Sequence, residues 1–481
     1  MDLATDLAAT APLWLPMVGC LAVLLAETLV PDRTGKLPAL VAGVTLALAL
    51  VRLATTHPSS RMPFGVLADD ALARALSGIL LLVGLAVIAM AEPLLERLKL
   101  ARGEFFALLL ASLSGMVLLV AARDLLVLFL AVELLSIPLY VLAAFRRLSP
   151  HSVESGFKYF LLGAFASGFL VYGIALLFAT TGDTRYAALA AVARSGAPLG
   201  TLWHVGCALL LAGLGFKVAA APFHAWTPDV YQGAPTPVTA FMAAGVKTAA
   251  FGGLLRLAAE LLPDLASLRT GVAVLACASM LVGNLGALLQ TNLKRLLAWS
   301  SIAHAGYLLV GILAVLSGAG DAAKDAVVFY LASYALTTLA AFAWIEHLGR
   351  ETPALQDLRA LKGLARQRPW LALSLTLVFL SLAGVPLTAG FLGKYFVLKA
   401  AFELGGALLL PMVVLALASV IALGYYLRVI ATLYMERPAD EDAPAPALFA
   451  PAGLALLTAA SSAALLLFGV WPEPLMKWLA G

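Results

Sequence analysis

Ionisable side chains interrupt the long apolar runs of this chain at four places. Lys217 lies in GCALLLAGLGFKVAAAPFHAW, and Glu133 lies in LLVLFLAVELLSIPLYVL. Lys247 lies in VTAFMAAGVKTAAFGGLL, and Lys394 follows SLAGVPLTAGFLG. A charge at the centre of a membrane helix costs roughly 2.5–3.5 kcal/mol on insertion scales. Four such charges, one acidic and three basic, indicate that the chain uses them to move ions or protons.

The composition predicts a polytopic membrane protein. Of the 481 residues, 62% are hydrophobic and 12% are charged, whereas soluble proteins average about 25% charged residues. The cysteines Cys20, Cys207 and Cys277 lie in apolar runs without CxxC spacing, so neither a disulfide nor a metal site is predicted. No Walker A loop and no GxGxxG beside a strand occur, so no ATP or NAD site is predicted. The acidic start, MDLATDLAAT, argues against a cleaved signal peptide.

Runs long enough to cross a bilayer recur along the whole chain. A crossing helix needs about 20 predominantly apolar residues, and about fourteen runs meet this requirement. The predicted fold is therefore all-α, with approximate spans 11–30, 37–56, 72–95, 104–122, 124–145, 157–180, 203–221, 236–259, 270–290, 296–317, 325–348, 370–400, 407–435 and 448–471.

Two of these runs are predicted to be broken helices. The run 203–233 contains Pro222 and Pro228, and the run 370–400 contains Gly384 and Pro386. Proline removes a backbone donor and clashes with the preceding turn. Unwound backbone at membrane depth is tolerated only inside protein or beside a water-filled cavity. Helices 7 and 12 are therefore predicted to be broken inside the bundle.

The spacing of the two breaks predicts an internal repeat. Pro222 and Pro386 lie 164 residues apart, and the same offset carries the start of span four to the start of span nine. Spans four to eight and nine to thirteen then form two five-helix units of opposite orientation, the arrangement in which broken helices build midplane sites. The predicted segments are 1–103 with three helices, 104–260 and 268–435 as the inverted repeats, and 436–481 with helix 14.

Basic residues in the loops predict the orientation, because Lys and Arg favour the cytoplasmic side. One set of alternate loops contains seven basic residues and the other set contains fifteen. The set with fifteen is expected to face the cytoplasm. An even number of spans then places both termini outside. The fifteen are Arg33, Lys36, Arg97, Lys99, Arg102, Arg146, Arg147, Lys294, Arg295, Arg350, Arg359, Lys362, Arg366, Arg368 and Arg437.

The charged residues of the first unit are expected to act together. Glu133 and Lys217 lie on different helices and, facing each other, can stay ionised as a pair. A structural ion pair that fixes helix register is the alternative. Lys247 is expected near mid-depth, too deep to reach the membrane surface as a snorkelling lysine would. It could exchange a proton with Lys217 through water or His224.

The second unit has its own candidate in Lys394, although a lysine that pairs only with backbone carbonyls is the alternative. His304, like His224, is either a proton shuttle or a satisfied core histidine. Lys158 is a weaker candidate, since an interfacial anchor accounts for it equally well.

Lys294 and Arg295, in QTNLKRLLAWSSIAHAGY, begin the tenth span. They are expected mainly to set topology, with a water path for protons as the alternative.

Five segments resemble one known family, the antiporter-like membrane subunits of respiratory complex I. They are ELLSIPLYVLAAF, GFKYFLLGAFASGFLVYGIALLF, GFKVAAAPFHAWTPDVYQGAPTPVTAFMAAGVKTAAF, NLKRLLAWSSIAHAGYLL and SLAGVPLTAGFLGKYFVLKAAF. The resemblance covers nearly the whole chain. It implies fourteen helices in two inverted units, a glutamate in helix five at Glu133, and lysines in helices seven, eight and twelve at Lys217, Lys247 and Lys394.

The resemblance also implies partners and a location. The chain would hold no cofactor or metal, while NADH, flavin, iron–sulfur clusters and quinone would belong to partner subunits. The expected partners are the antiporter-like subunit M, the small subunits J and K, and lipids, but no nucleic acid. The expected location is the bacterial inner membrane, with both termini periplasmic.

Other functions are compatible with the same residues. A subunit of a multisubunit sodium/proton antiporter or of a membrane hydrogenase shares the Glu–Lys–Lys arrangement. A stand-alone solute carrier would transport without partners. A purely structural scaffold would tolerate neutralisation of all four charges.

Overall fold

The structure, a computed structural model, describes residues 3–30, 36–58, 62–100, 102–195, 198–261, 266–349, 356–436 and 451–480. Within these ranges it is a helical bundle whose β pairing consists of three isolated bridges. The helices are α1 (Leu3–Ala9), α2 (Ala11–Leu29), α3 (Lys36–Thr55), α4 (Ala71–Leu98), α5 (Gly103–Ala121), α6 (Leu125–Ala143), α7 (Pro150–Thr181), α8 (Tyr186–Arg194), α9 (Thr201–Val218), α10 (Thr227–Gly233), α11 (Thr236–Phe241), α12 (Lys247–Glu260), α13 (Ala266–Leu288), α14 (Leu293–Leu316), α15 (Gly320–Gly349), α16 (Leu364–Gln367), α17 (Pro369–Ala383), α18 (Ala389–Phe402), α19 (Leu409–Tyr434), α20 (Ala452–Val470) and α21 (Glu473–Ala480).

Thirteen helices of the described ranges are long and apolar enough to cross a membrane, which confirms an all-α, multi-pass membrane protein. A π-helical turn over Met242–Val246 joins α11 to α12, so that Thr236–Glu260 is one continuous span. The run predicted as the twelfth span consists of two shorter helices, α17 and α18. The total of fourteen crossing segments, their division into inverted repeats and the four predicted segments stay predictions.

Both predicted helix breaks are present. α9 ends at Val218, where Ala219 adopts a left-handed conformation with φ 58°, and turns lead to α10. α17 ends at Ala383, and the next residue, Gly384, has φ 80°. The Gly384 N–H donates a hydrogen bond to the Leu380 carbonyl and so caps the helix. In both places a left-handed residue ends the helix, as in common C-terminal caps. Each break leaves the carbonyls of a helix C-terminus inside the bundle.

The centre of the bundle is formed by the span Thr236–Glu260 together with α14 and α15, which are almost completely buried. The helices α2, α3, α7, α19 and α20 surround them and expose large apolar side chains outward. Such exposed apolar faces are expected of helices that contact lipid or neighbouring membrane subunits. Of the predicted relay residues, Lys247 and His304 lie on these inner helices.

Close helix packing depends on small residues, as is common between membrane helices. α13 and α14 approach each other at Gly306, where an added Cβ would lie 2.5 Å from the Met280 Cγ and 2.7 Å from the Ala276 carbonyl oxygen. Because a carbonyl oxygen belongs to the backbone, the two helices would have to separate to admit a methyl group.

We expect Gly306→Ala to destabilise the protein by about 1–3 kcal/mol, the usual cost of inserting a methyl group into a packed interior. The measurement is the thermal stability of the purified protein in mild detergent. Gly168→Ala on α7 is the matched control, because nothing lies within 4 Å of a Cβ added there. Equal stability of the two variants would contradict the inferred contact between α13 and α14.

Candidate functional site

Lys217 lies in the last turn of α9, directly before the first break. Its side chain is buried, with 4% exposure. Its Nζ donates a hydrogen bond to the Ser136 Oγ at 2.7 Å and lies 5.5–5.8 Å from the rings of Tyr140, Tyr159 and Phe216. Aromatic faces attract a cation, and the C-terminal end of a helix carries partial negative charge. The ammonium group is therefore stabilised without a carboxylate in contact.

The direct ion pair predicted between Glu133 and Lys217 is not formed, and that prediction is wrong for this conformation. Both residues are described, yet no contact within 4.0 Å joins the Lys217 Nζ to a Glu133 oxygen. Glu133 is half-buried and accepts a hydrogen bond from the Ser167 hydroxyl of α7. Ser136, one turn further along α6, contacts Lys217 instead. The two charges still interact electrostatically across this gap.

Lys247 follows the π-helical turn and is buried at mid-span. Its Nζ donates hydrogen bonds to the carbonyl and the hydroxyl of Ser301 on α14, the latter at 2.6 Å, and lies 5.3 Å from the Tyr334 ring. The side chains of Tyr231 and Tyr334 also interact with Ser301. Single π-helical turns often mark functional sites in helices. Here the turn precedes a buried lysine that is hydrogen-bonded to Ser301 and lies too deep for its ammonium group to reach the membrane surface.

The ring of His304 packs against Tyr334 and Tyr307, with ring centroids 5.0 Å and 5.3 Å apart. These two rings also lie 5.3 Å from the Lys247 Nζ and 4.9 Å from the Lys394 Nζ, so His304 lies between the two lysines. Its Nδ1 lies 2.9 Å from the Tyr330 hydroxyl, and its Nε2 lies 3.4 Å from the Tyr426 hydroxyl. The Tyr426 hydroxyl in turn shares a hydrogen bond with Ser300, the neighbour of the serine that binds Lys247. A neutral imidazole with a hydroxyl at each nitrogen can accept a proton on one side and release one on the other.

Lys394 lies in the second turn of α18, immediately after the second break. Its Nζ donates hydrogen bonds to the carbonyls of Leu382 at 3.2 Å and Ala383 at 2.9 Å, the last residues of α17. It also lies 4.9 Å from the ring of Tyr307, which packs against His304 with ring centroids 5.3 Å apart. Lys394 thus donates its hydrogen bonds to backbone carbonyls, as expected of a lysine that pairs only with the backbone. In addition, the Tyr307 ring lies between Lys394 and His304.

Two further candidates lie away from these lysines. No hydrogen bond in the described part of the chain joins His224 to Lys217 or Lys247. Its ring packs against Trp299 at 5.5 Å, and its buried Nδ1 has no hydrogen-bond partner among the described residues. The structure therefore does not show the predicted link through His224. Lys158 pairs with Asp229 at 2.7 Å and Glu154 at 2.7 Å, which fits a surface ion cluster rather than a buried relay.

The ion cluster of Lys158 forms the wall of a cavity of about 570 Å³ that opens at one end of the bundle. Arg97, Arg146 and Lys294, all from the loops predicted to face the cytoplasm, line this cavity. Lys294 is buried, and its Nζ donates a hydrogen bond to the Ala234 carbonyl at 2.6 Å. No carboxylate oxygen of the described residues lies within 4.0 Å of that nitrogen. The cavity thus ends at a buried ammonium group.

Sequence analysis did not identify the hydroxyl groups between the lysines. Ser136, Ser301, Tyr330 and Tyr426 each contact Lys217, Lys247 or His304. A signal was present in SSIAHAGY, where two serines precede a histidine inside an apolar run. Serine and tyrosine are common in membrane helices, however, so composition alone does not separate those that contact a lysine from the rest.

Comparison with known proteins identifies the family. The family described as "NADH:quinone oxidoreductase/Mrp antiporter, TM" matches residues 122–422. The NADH-quinone oxidoreductase subunit N of Gemmatimonas aurantiaca is 43% identical over 458 residues, which cover 94% of this chain and 85% of that protein. A chain of respiratory complex I from Thermus thermophilus is 37% identical with a TM-score of 0.80, covering 98% of this chain and 99% of that one.

A chain of the Mrp complex from a Dietzia species shares the fold at 23% identity, with a TM-score of 0.83, 98% coverage of this chain and 96% of that one. Fold is thus common to several membrane complexes, whereas sequence similarity distinguishes among them. The class is that of antiporter-like membrane subunits of respiratory complexes. Within it, the chain belongs to the NADH-quinone oxidoreductase subunit N family. This confirms the predicted resemblance and a membrane subunit of complex I as the predicted type of protein.

We expect Ser136→Ala to lower proton pumping by the assembled complex, because Lys217 loses its hydroxyl partner. A hydrogen bond to a charged group contributes about 1.5–3 kcal/mol. The measurement is pumping in reconstituted vesicles, normalised to assembled complex. Ser114→Ala is the matched control, since the buried Ser114 hydroxyl bonds only the Leu110 carbonyl of its own helix. Equal pumping by both variants would show that Ser136 has no role in positioning Lys217.

Proposed function

We propose that this chain translocates protons within NADH–quinone oxidoreductase through Lys217, Lys247, His304 and Lys394, with Glu133 modulating the first lysine. Electron transfer in partner subunits supplies the driving force, and this chain performs no redox chemistry. The observation that carries the proposal is the position of His304, which has a tyrosine hydroxyl at each ring nitrogen. Its ring also packs against Tyr334 and Tyr307, the rings that lie near the Nζ of Lys247 and of Lys394. A scaffold would not require such an arrangement.

Charge coupling between Glu133 and Lys217 supplies the proposed control. The Glu133 carboxylate and the Lys217 ammonium group are not in contact and yet interact electrostatically. Glu133 is half-buried on α6, next to exposed apolar residues of the same helix such as Leu130 and Ile137. A charge change in a neighbouring subunit can therefore act on Glu133 from outside this chain. Such a change would alter the free energy of the charged form of Lys217.

Protons enter this relay from the large cavity. Lys294 is the buried group at its inner end, and Ser301 lies seven residues further along α14, or about 10 Å along the helix axis. Tyr231 belongs to α10, whose last residues also line the cavity, and its side chain interacts with Ser301. Lys294, water and the Tyr231 hydroxyl together would lead a proton from the cavity to Lys247.

Partners and location follow from the family. Complex I contains other membrane subunits, and we propose that the antiporter-like subunit M and the small subunits J and K contact the exposed apolar faces, with lipids filling the rest. NADH, flavin, iron–sulfur clusters and quinone belong to partner subunits. The location is the bacterial inner membrane, with the cavity on the cytoplasmic side and both termini periplasmic, as the distribution of basic residues favours.

The relay is tested most sharply at Lys394. Arginine keeps the positive charge but does not release its proton, because its pKa stays above about 12. If Lys394 carries protons, Lys394→Arg should pump as poorly as Lys394→Ala, even where it assembles better. The measurement is proton pumping by the reconstituted complex, normalised to the amount of assembled complex. Wild-type pumping by the arginine variant would make Lys394 an electrostatic anchor.

Proton uptake through the cavity makes a separate prediction. Lys294→Gln removes the buried ammonium group, and Lys294→Arg fixes its charge, so both should reduce pumping severely. Lys362→Gln is the matched control, because Lys362 belongs to the same predicted cytoplasmic set but forms an ion pair with Glu436 at 2.8 Å outside the cavity lining. Initial pumping rates in vesicles are compared over a range of pH. Full pumping by Lys294→Arg would assign Lys294 a structural role at the end of α10.

A further inference from the structure

A second group of charges, centred on the buried Arg256, lies at the end of the bundle opposite the cavity. The two ends are defined by α4, whose C-terminal residues Leu94, Arg97 and Leu98 line the cavity. Its N-cap residue, Asp70, lies 27 residues before Arg97, or about 40 Å away along the helix. The span Thr236–Glu260 is antiparallel to α4 and connects the same two ends, since Thr236 lines the cavity and Glu260 lies near Asp70.

Arg256 is the centre of this second group. Only 1% of its side chain is exposed. Its two terminal nitrogens donate to the two carboxylate oxygens of Asp70, each at 2.8 Å, and one of them also donates to Glu260 at 2.9 Å. Its Nε donates to the Val120 carbonyl at 3.0 Å, and Arg123 holds the other Glu260 oxygen at 2.8 Å. The network therefore joins α4, α5 and α12 through paired, hydrogen-bonded charges.

The stretch between this network and the relay is tightly packed. Arg256 follows Lys247 by nine residues, or about 14 Å along the helix axis. Of the eight residues between them, only Thr248 has a polar side chain, and its hydroxyl bonds the Ala244 carbonyl of the preceding turn. An added Cβ at Gly252 would lie within 3 Å of side chains from both α4 and α5. Little space remains there for water.

The geometry points to a seal: we propose that the Arg256–Asp70–Glu260–Arg123 network keeps water out of this end of the first unit and thereby prevents protons on Lys247 from leaking across the membrane. An arginine cannot itself pass a proton on, because its guanidinium does not deprotonate in proteins. The bidentate contact with Asp70 holds α12 against the start of α4 more rigidly than a single contact would, and the Arg256 Nε adds a hydrogen bond to α5. This inference rests on the proposed relay, since the seal prevents a leak only where Lys247 carries protons.

A leak measurement separates a seal from a simple ion pair that stabilises the bundle. Assembled complex is reconstituted into liposomes without NADH or quinone. Passive proton flux is then driven by a potassium diffusion potential set with valinomycin and followed with a trapped pH dye. We expect Arg256→Met to raise this flux several-fold per assembled complex. Arg256→Lys, which keeps the charge but loses the bidentate contact, should give an intermediate flux.

The matched control is Arg185→Met, which removes an exposed arginine whose partner is Asp183. Its flux should equal that of the wild type. Should Arg256→Met fail to assemble, Asp70→Asn leaves the arginine in place, weakens the same contact and is expected to leak likewise. Wild-type flux in whichever of these two variants assembles would overturn the seal.

The double variant Arg256→Met/Lys247→Ala identifies the route. If protons leak through Lys247, removing that lysine should return the flux to the wild-type level. A leak that persists in the double variant would overturn the proposed route. A different result would contradict the relay, namely normal redox-driven pumping in the single variant Lys247→Ala. The two failures are therefore distinguishable.

Discussion

The structure depends on how an ammonium group can be buried in an apolar bundle. An isolated charge there is costly, and each lysine has partners that offset that cost. Lys217 and Lys394 both lie where a broken helix presents its C-terminal end, which carries partial negative charge. Lys247 has instead the carbonyl and hydroxyl of Ser301. These partners are neutral dipoles and hydroxyls. Each lysine can therefore lose its proton without leaving an unpaired carboxylate beside it. In a direct ion pair, loss of the proton would leave the carboxylate unpaired.

The two ends of the bundle around the span Thr236–Glu260 differ in the partners that they give to a buried cation. At one end, a polar cavity leads to Lys294, whose contact is a single carbonyl. At the other end, Arg256 donates four hydrogen bonds to two carboxylates and a carbonyl. One end therefore suits hydration and proton uptake, whereas the other suits exclusion of water. In the proposed relay, a proton on Lys247 would move onward through His304 toward Lys394.

Sequence reasoning predicted the membrane class, most spans and both breaks, because apolar length and proline are local signals. It predicted that Lys217, Lys247 and Lys394 are buried, for the same reason. It was wrong about the Glu133–Lys217 contact, since the rotation of α6 that presents Ser136 to Lys217 is decided by packing. It also overlooked Arg256, an intramembrane charge in GGLLRLAAE, whose partner Asp70 lies 186 residues away along the chain.

In the proposed relay, buried lysines change protonation during turnover. Infrared difference spectroscopy on the reconstituted complex, with lysine side chains isotopically labelled, detects such changes directly. We expect ammonium bands of labelled lysine to change on redox turnover in the wild type and to lose intensity in Lys247→Ala. Turnover with proton pumping but no isotope-sensitive lysine band would contradict the account, because the protons would then move without the lysines carrying them.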